Sequence, residues 1–490
     1  MSKNKDFINK FNGKDKEKIK SFFSELDSKI SLNNKNKQKI INDFENYILY
    51  FKNDFSINEI IKRLDLTNFE KGYNKNNDWF SLDNSSKIYP LSMKEDWMSI
   101  YRLSYYLKEK VVKEVLQLAL TFTIIRFPVF RTCIRKGFFW NYLDEVNKHY
   151  EIVKEESIPC SKSNISKMGT QAFRVCFYNN RVSCEFFHAL SDAHGGVVFL
   201  TSLINEYYRL LGDKVVFNSY ALDVRELVKD EEIKDAFLNK KTTSQSGSLI
   251  EKKALSIDGK LSLIRPCQIL HFNLNFNKLH QLSKKNNVTI NELLLAFLFL
   301  VLSYSTSKNG DIKIQVPINL RKYNQVNTLR NYSLYTTISL NKNDITNFMD
   351  VLVKVKEQSR EKITKENVDG LASHACHLVK SLSFVPLFIK HPIANFIYSH
   401  FGDKSSTTVL SNLGRIDIPI ELSRKIVKAD FILGTNHTNR ILFSVITVNN
   451  IVNLSISKFT TNKSLENNLY NLLKEHDLII NVEGSDVYGN

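Results

Sequence analysis

Between residues 37 and 53 the apolar positions Ile40, Ile41, Phe44, Ile48, Leu49 and Phe51 recur at the spacing that lines one stripe of a helix. The same pattern predicts helices over 16–26 and 57–66. The last opens on Ser56-Ile57-Asn58-Glu59, a capping box in which serine and glutamate each satisfy a backbone N–H of the other. Residues 1–86 therefore read as a small helical appendage, and no catalytic motif lies within them.

From residue 88 the texture changes to alternating strands and helices. Residues 110–125 have helical spacing and stop before Pro128, and 130–135 and 138–143 read as strands about a Lys136-Gly137 turn. A stronger hairpin follows, 173–178 and 182–187 about Asn179-Asn180, because asparagine tolerates the positive φ of a tight turn. Gly195-Gly196 then open an amphipathic helix carrying Val197, Val198, Leu200, Leu203 and Tyr207 through Leu210. Residues 213–264 are mixed and polar, with KKTTSQSGS at their centre, and read as a crossover. A second stretch repeats the texture: a strand over 268–276, then a helix whose capping box, Thr289 to Glu292, precedes LLLAFLFLVL. Strands are expected over 312–317, 332–339, 407–411 and 441–448, the last pairing with 452–457 across Asn449-Asn450. Helices are expected over 344–363, in pieces through 371–400, and over 464–476. The pattern predicts an α/β protein of two lobes, 87–264 and 265–490, behind the appendage.

A chain of 490 residues has room for about three such units. Hydrophobic residues at 43% and aromatics at 11% exclude a disordered tail. Six cysteines without C-x-x-C spacing point to neither a zinc ribbon nor a disulfide framework, and read as reduced thiols of a cytoplasmic protein. The longest apolar run, 293–302, is well short of the ~20 residues of a membrane span, and the N-terminus has no run of signal-peptide length. The net charge of +17 suits an anionic partner: nucleic acid, anionic lipid or a phosphorylated cosubstrate. A lysine-rich codon bias would produce the same excess, and much of the charge, including eleven lysines against five acids in the first 40 residues, reads as solvated surface. The basic residues are dispersed and no recognition motif is present, which argues against nucleic acid. The apolar stretch 381–401, broken by Pro386 and Pro392, reads as packed helix, with peripheral membrane contact as the alternative. His374 and His377 are three apart with no third ligand in view, so no metal site is expected. No nucleophile elbow, phosphate loop or dinucleotide fingerprint occurs.

The segment that carries chemistry is Phe186-Phe187-His188-Ala189-Leu190-Ser191-Asp192-Ala193-His194-Gly195-Gly196. An apolar strand ends in a histidine, turns through an aspartate and enters a helix over two glycines. A histidine at a strand end is rigidly held, and its near-neutral pKa suits proton transfer. Alone, an H-x-x-x-D is more often a strand cap beside a turn-forming aspartate. Here H-x-x-x-D-[GA]-x-G resembles the signature of the condensation-domain-like acyltransferases, relatives of chloramphenicol acetyltransferase. Three other segments resemble the bacterial alcohol O-acetyltransferase-like branch: Ile88-Tyr89-Pro90-Leu91-Ser92 as the first strand, Pro317 to Arg321 as a P-x-x-x-R element, and Ser411-Asn412-Leu413-Gly414 as an S-N-L-G strand. The resemblance implies two chloramphenicol-acetyltransferase-like lobes forming a pseudo-dimer within one monomeric chain, with a central tunnel. His188 would be the general base and Asp192 a bracing partner of Arg321. The donor would be an acyl-CoA, acetyl-CoA foremost, or an acyl-carrier protein; the acceptor would be a small alcohol or amine; no cofactor would be permanently bound. Ser411, Asn412 and Gly195 are candidates for holding substrate or oxyanion, with an ordinary strand-end role equally open to the first two. Phe187 stands where many relatives carry a first histidine, Ala193 replaces the usual glycine, and His194 reads as hydrogen-bonded within the turn. A non-catalytic binding relative of the same fold is the remaining alternative.

Overall fold

The structure, a computed structural model, describes residues 6–73, 78–92, 99–161, 165, 167–237, 253–397, 405–434, 439–460 and 462–485. The KKTTSQSGS segment expected at the centre of the crossover lies outside them.

A five-stranded sheet is ordered Ile426–Leu433, Ile100–Leu107, Arg181–Phe187, Phe173–Tyr178, Ile152–Lys154, all pairs antiparallel but the last. A seven-stranded mixed sheet is ordered Ser333–Asn341, Asp311–Asn319, Thr408–Arg415, Ile441–Val448, Ile451–Lys458, Gln268–Asn275, Ile479–Gly484. A strand from the C-terminal part of the chain thus forms the edge of the first sheet. The two sheets meet through polar contacts: the Ser444 hydroxyl donates to the Phe431 carbonyl and Ser457 Oγ to the Leu433 carbonyl at 2.7 Å.

Both expected Asn-Asn hairpins form, with Asn179 and Asn449 in the left-handed region at φ +51° and +56°. Both capping boxes form as well. The Ile290–Tyr304 helix is buried on nearly every side because it lies within the core of the second sheet, which explains a run apolar all round. Among the described residues no single helix is long and apolar enough to cross a membrane.

Several expectations are corrected. Ile88–Ser92 is a short helix, not the first strand, since Pro90 lacks the N–H that a ladder needs and its fixed φ fits a first helical turn. The strand on that sheet is Ile100–Leu107. The hairpin after Pro128 pairs Thr132–Arg135 with Tyr142–Glu145 across a six-residue loop, because Pro128–Arg131 is taken up in a 3-10 turn. The helix Phe276–Lys285 and the strands Ile426–Leu433 and Ile479–Gly484 are additional to those expected.

The helices Gly13–Ser28, Asn34–Phe51 and Ile57–Arg63 share one hydrophobic core with the five-stranded sheet. Phe44 makes edge contacts with Phe69 and, at 5.5 Å, with Phe122 of the Lys113–Thr123 helix. Beside it the buried Asp43 carboxylate accepts from Thr121 Oγ1 at 2.6 Å and contacts His149 Nε2 at 2.8 Å. The N-terminal helices are therefore welded to the first sheet. Phe44→Ala is expected to cost about 3–5 kcal/mol, read as a lowered urea midpoint of the transition that also reports the five-stranded sheet.

Candidate functional site

His188 follows directly on the last residue of the Arg181–Phe187 strand, and its backbone N–H donates to the Ser99 carbonyl at 2.7 Å. The ladder thus continues one step past the strand and holds the ring's origin. The residue is half-buried and its ring packs between aromatics, with Tyr89 stacked at 4.4 Å and Tyr101 edge-on at 5.4 Å. Nδ1 faces Asn331 Oδ1 at 3.0 Å. A carbonyl only accepts, so Nδ1 carries the proton of the neutral ring and Nε2 is the basic nitrogen. The Tyr89 hydroxyl lies 3.5 Å from Nε2. Burial lowers the His188 pKa below the ordinary imidazole value, against the opposing pull of Asp192, a backbone hydrogen bond and Asn331.

Asp192 is the N-cap of the Ala193–Leu211 helix, its Oδ1 accepting from the Gly195 N–H at 3.3 Å. Its Oδ2 accepts from Arg321 Nη1 at 2.7 Å and from the Tyr332 N–H at 2.9 Å. Burial raises the carboxyl's pKa, but the Arg321 charge and hydrogen bond, with help from His194 and Tyr332, outweigh it and hold the group below its ordinary value. Arg321 begins a short helix after the strand Asp311–Asn319, and its remaining donors reach the carbonyls of Thr328 and Arg330. The turn 188–192 is further stitched to this loop by Ser191 Oγ donating to the Leu329 carbonyl at 2.6 Å. Tyr101 Oη donates to the Asp192 carbonyl at 2.8 Å from the strand beneath.

The other candidates are placed as follows. The Gly195 N–H is engaged by the Asp192 cap, and a Cβ there would collide with the Leu329 carbonyl, so glycine is required for the two loops to approach. Ser411 and Asn412 lie on Thr408–Arg415; Asn412 Nδ2 donates to Asn291 at 3.2 Å and its Oδ1 accepts from Gly414 at 2.8 Å. No hydrogen bond among the described residues joins either of them to His188. His194 packs edge-on to Tyr220 at 5.5 Å, and burial, then the Arg321 charge, push its pKa down to about 4. With Arg321 it lines a cavity of about 660 Å³ that also includes Tyr220, Asn319 and Lys322. Among the described residues no group of three potential metal ligands is gathered.

Four residues at the site were not singled out from the sequence. Asn331 meets Nδ1, and its buried amide nitrogen has no partner among the described residues. Its backbone N–H donates to Asp83 Oδ2 at 3.1 Å, while Asp83 Oδ1 lies 3.1 Å from Arg330 Nε. Asp83 is wholly buried, and burial, against the Arg330 charge, pushes its pKa up to about 7. A strand over 88–92 gives no reason to expect the Tyr89 ring on the histidine, where the short helix places it.

No protein-family model and no curated protein matches the chain. Solved structures match most of its length. A trichothecene 15-O-acetyltransferase from Fusarium sporotrichioides has a TM-score of 0.55 at 10% identity, over 81% of this chain and 94% of that one. A Fusarium graminearum protein complexed with coenzyme A and T-2 mycotoxin gives 0.56 at 11% identity, over 81% and 97%. The first condensation domain of the calcium-dependent antibiotic synthetase gives 0.55 at 11%, over 81% and 95%. The chain therefore has the condensation-domain-like, chloramphenicol-acetyltransferase-like α/β fold.

Arg321→Ala strands the buried Asp192 carboxylate, and Asp192→Ala the guanidinium, so each is expected to cost about 3–5 kcal/mol and the double variant clearly less than the sum. Because the Asp192 pKa is depressed, its contribution is complete above the ordinary carboxylate value of about 3.9 and is lost as pH falls below it. The coupling, measured by denaturant titration of the four proteins, should shrink on acidification through that range.

Proposed function

We propose that the chain is an acyltransferase that moves an acyl group, acetyl foremost, from a CoA thioester to the hydroxyl of an alcohol-type acceptor. The observation that carries the reading is the setting of His188: Nδ1 held against the Asn331 side-chain carbonyl oxygen, Nε2 left as the basic nitrogen, and the residue half-buried at the end of a rigid strand. The fold shared with an O-acetyltransferase and with a protein solved with coenzyme A supports the same reading.

In this reading Nε2 takes the acceptor's O–H proton as the oxygen attacks the thioester carbonyl carbon. The tetrahedral intermediate then expels the sulfur, which leaves with the proton returned from Nε2, giving ester and free thiol with no acyl-enzyme. Asp192 and Arg321 hold the turn and move no proton. A donor for the developing oxyanion is a role open to Ser411 and Asn412 of the second sheet. The lobes 87–264 and 265–490 would be the two walls of the passage for donor and acceptor. An acyl-carrier protein as donor, with ester or amide formation, is the second reading, supported by the likeness to a condensation domain.

Thiol release from acetyl-CoA in the presence of an alcohol panel tests the first reading, and the same acyl group on a carrier protein tests the second. His188→Ala should lower kcat/KM by ~10²–10⁴-fold, equivalent to about 3–5 kcal/mol of barrier. Turnover unaffected by that change would remove His188 as the base. Since its pKa lies below the ordinary 6.5, kcat/KM should stay level through neutrality and fall only as acidification below that value protonates Nε2.

Asn331→Ala removes an interaction that favours the protonated ring. The acid limb should then move to lower pH while kcat/KM drops about five-fold, the worth of one hydrogen bond of ~1 kcal/mol. A merely structural role would leave the limb in place.

A further inference from the structure

The six-residue loop 136–141 packs against the Leu387–Ile397 helix: the Leu387 N–H donates to the Phe138 carbonyl at 2.8 Å, and Lys390 Nζ to the Phe139 carbonyl at 2.7 Å while lying 3.4 Å over the Trp140 ring. The Ile88–Ser92 helix packs on the same helix. These elements and the turn that precedes the Leu387–Ile397 helix present large apolar side chains to solvent: Phe384 is 86% exposed, Phe388 72%, Phe138 68%, Ile393 52% and Ile88 50%. A cluster of this size, three of its members phenylalanines, is not the scattered single exposure that any surface carries.

The charges around it decide the occupant. Residues 87–92, 136–141 and 371–397 contain four lysines, Lys87, Lys136, Lys380 and Lys390, and no aspartate or glutamate, in a chain where acids make up 51 of 490 residues. Lys136 and Lys380 are exposed, while Lys87 is half-buried and Lys390 buried, both over Trp140. Exposed aromatic and aliphatic side chains on segments whose only charges are cationic are complementary to an anionic bilayer surface, with apolar groups entering the headgroup boundary and the exposed Lys136 and Lys380 ammonium groups among the phosphates.

We propose that this face docks the protein on anionic lipid. Ile88 belongs to the patch and its neighbour Tyr89 stacks on His188, so docking sets the histidine's side of the molecule toward the membrane. The docking itself does not depend on any acyl-transfer chemistry, and His188→Ala should bind vesicles as the native chain does.

The test is co-sedimentation of the full chain with vesicles of phosphatidylcholine alone and of phosphatidylcholine mixed with phosphatidylglycerol, beside sedimentation equilibrium of the protein without lipid. The native chain should pellet with the anionic vesicles, less so in high salt, and Phe384→Ser/Phe388→Ser should weaken the partition roughly ten-fold or more with an unchanged thermal midpoint. If that double variant fails to fold, Phe138→Ser, at the exposed tip of the loop, carries the same comparison. Failure to pellet with anionic vesicles, equal binding by the variant, or a lipid-independent dimer abolished by it would overturn the proposal; the last would assign the patch to a second copy.

Discussion

The Asp192 carboxylate is the point on which the candidate site is hung. One oxygen caps the helix that follows the histidine turn, and the other receives Arg321 and the Tyr332 N–H from the far loop. The same group thus ends one element, starts another and fastens the loop 319–332 against both. A buried pair of this kind adds little net stability over an apolar filling, because desolvation offsets most of the attraction. What it supplies is geometry. Arg321 offers donors to four different acceptors in a planar fork, so its partners can meet in one arrangement only.

Asn331 shows how that arrangement reaches the histidine. It lies between Arg330, opposite Asp83, and Tyr332, whose N–H is held by Asp192. Its own N–H is held by Asp83. Two carboxylates therefore clamp the backbone on either side of the residue whose side chain meets His188 Nδ1. Asp83 comes from the segment next to the N-terminal helices, which gives that part of the chain a place in the site. The two carboxylates are not equivalent: the Arg321 charge and hydrogen bond keep Asp192 ionised, whereas at Asp83 desolvation, with Asp235 nearby, prevails over the Arg330 charge.

Local signals were readable where the chain's immediate neighbours decide the structure. Capping boxes, Asn-Asn turns and the strand-to-turn run ending in His188 need only a few adjacent residues, and each forms. What was unreadable depends on distant partners. Ile426–Leu433 has ordinary strand propensities, but nothing local says that it crosses to the other sheet, and Asn331 acquires meaning only when two remote carboxylates turn it toward the ring. The Ile88–Ser92 segment misleads because an apolar pentapeptide fits strand and helix alike, and Pro90 decides between them. The pairing of Asp192 with Arg321, 129 residues apart, was named from a motif resemblance; spacing alone carries no trace of it.

The electrostatics of His188 also bear on the acceptor. Burial that lowers the pKa favours the neutral ring, which is the state required to accept a proton. Its use is greatest for a nucleophile whose proton must leave during attack. A hydroxyl is such a nucleophile, since its oxygen is weakly nucleophilic while protonated, and the alkoxide is out of reach in water near neutrality. An unprotonated amine attacks a thioester without prior proton loss and gains less from the base. Under the proposed function, a single histidine with Asn331 behind it suits a hydroxyl acceptor. The alternative of amine acylation would place its main demand elsewhere, on orienting an acceptor that reacts once positioned.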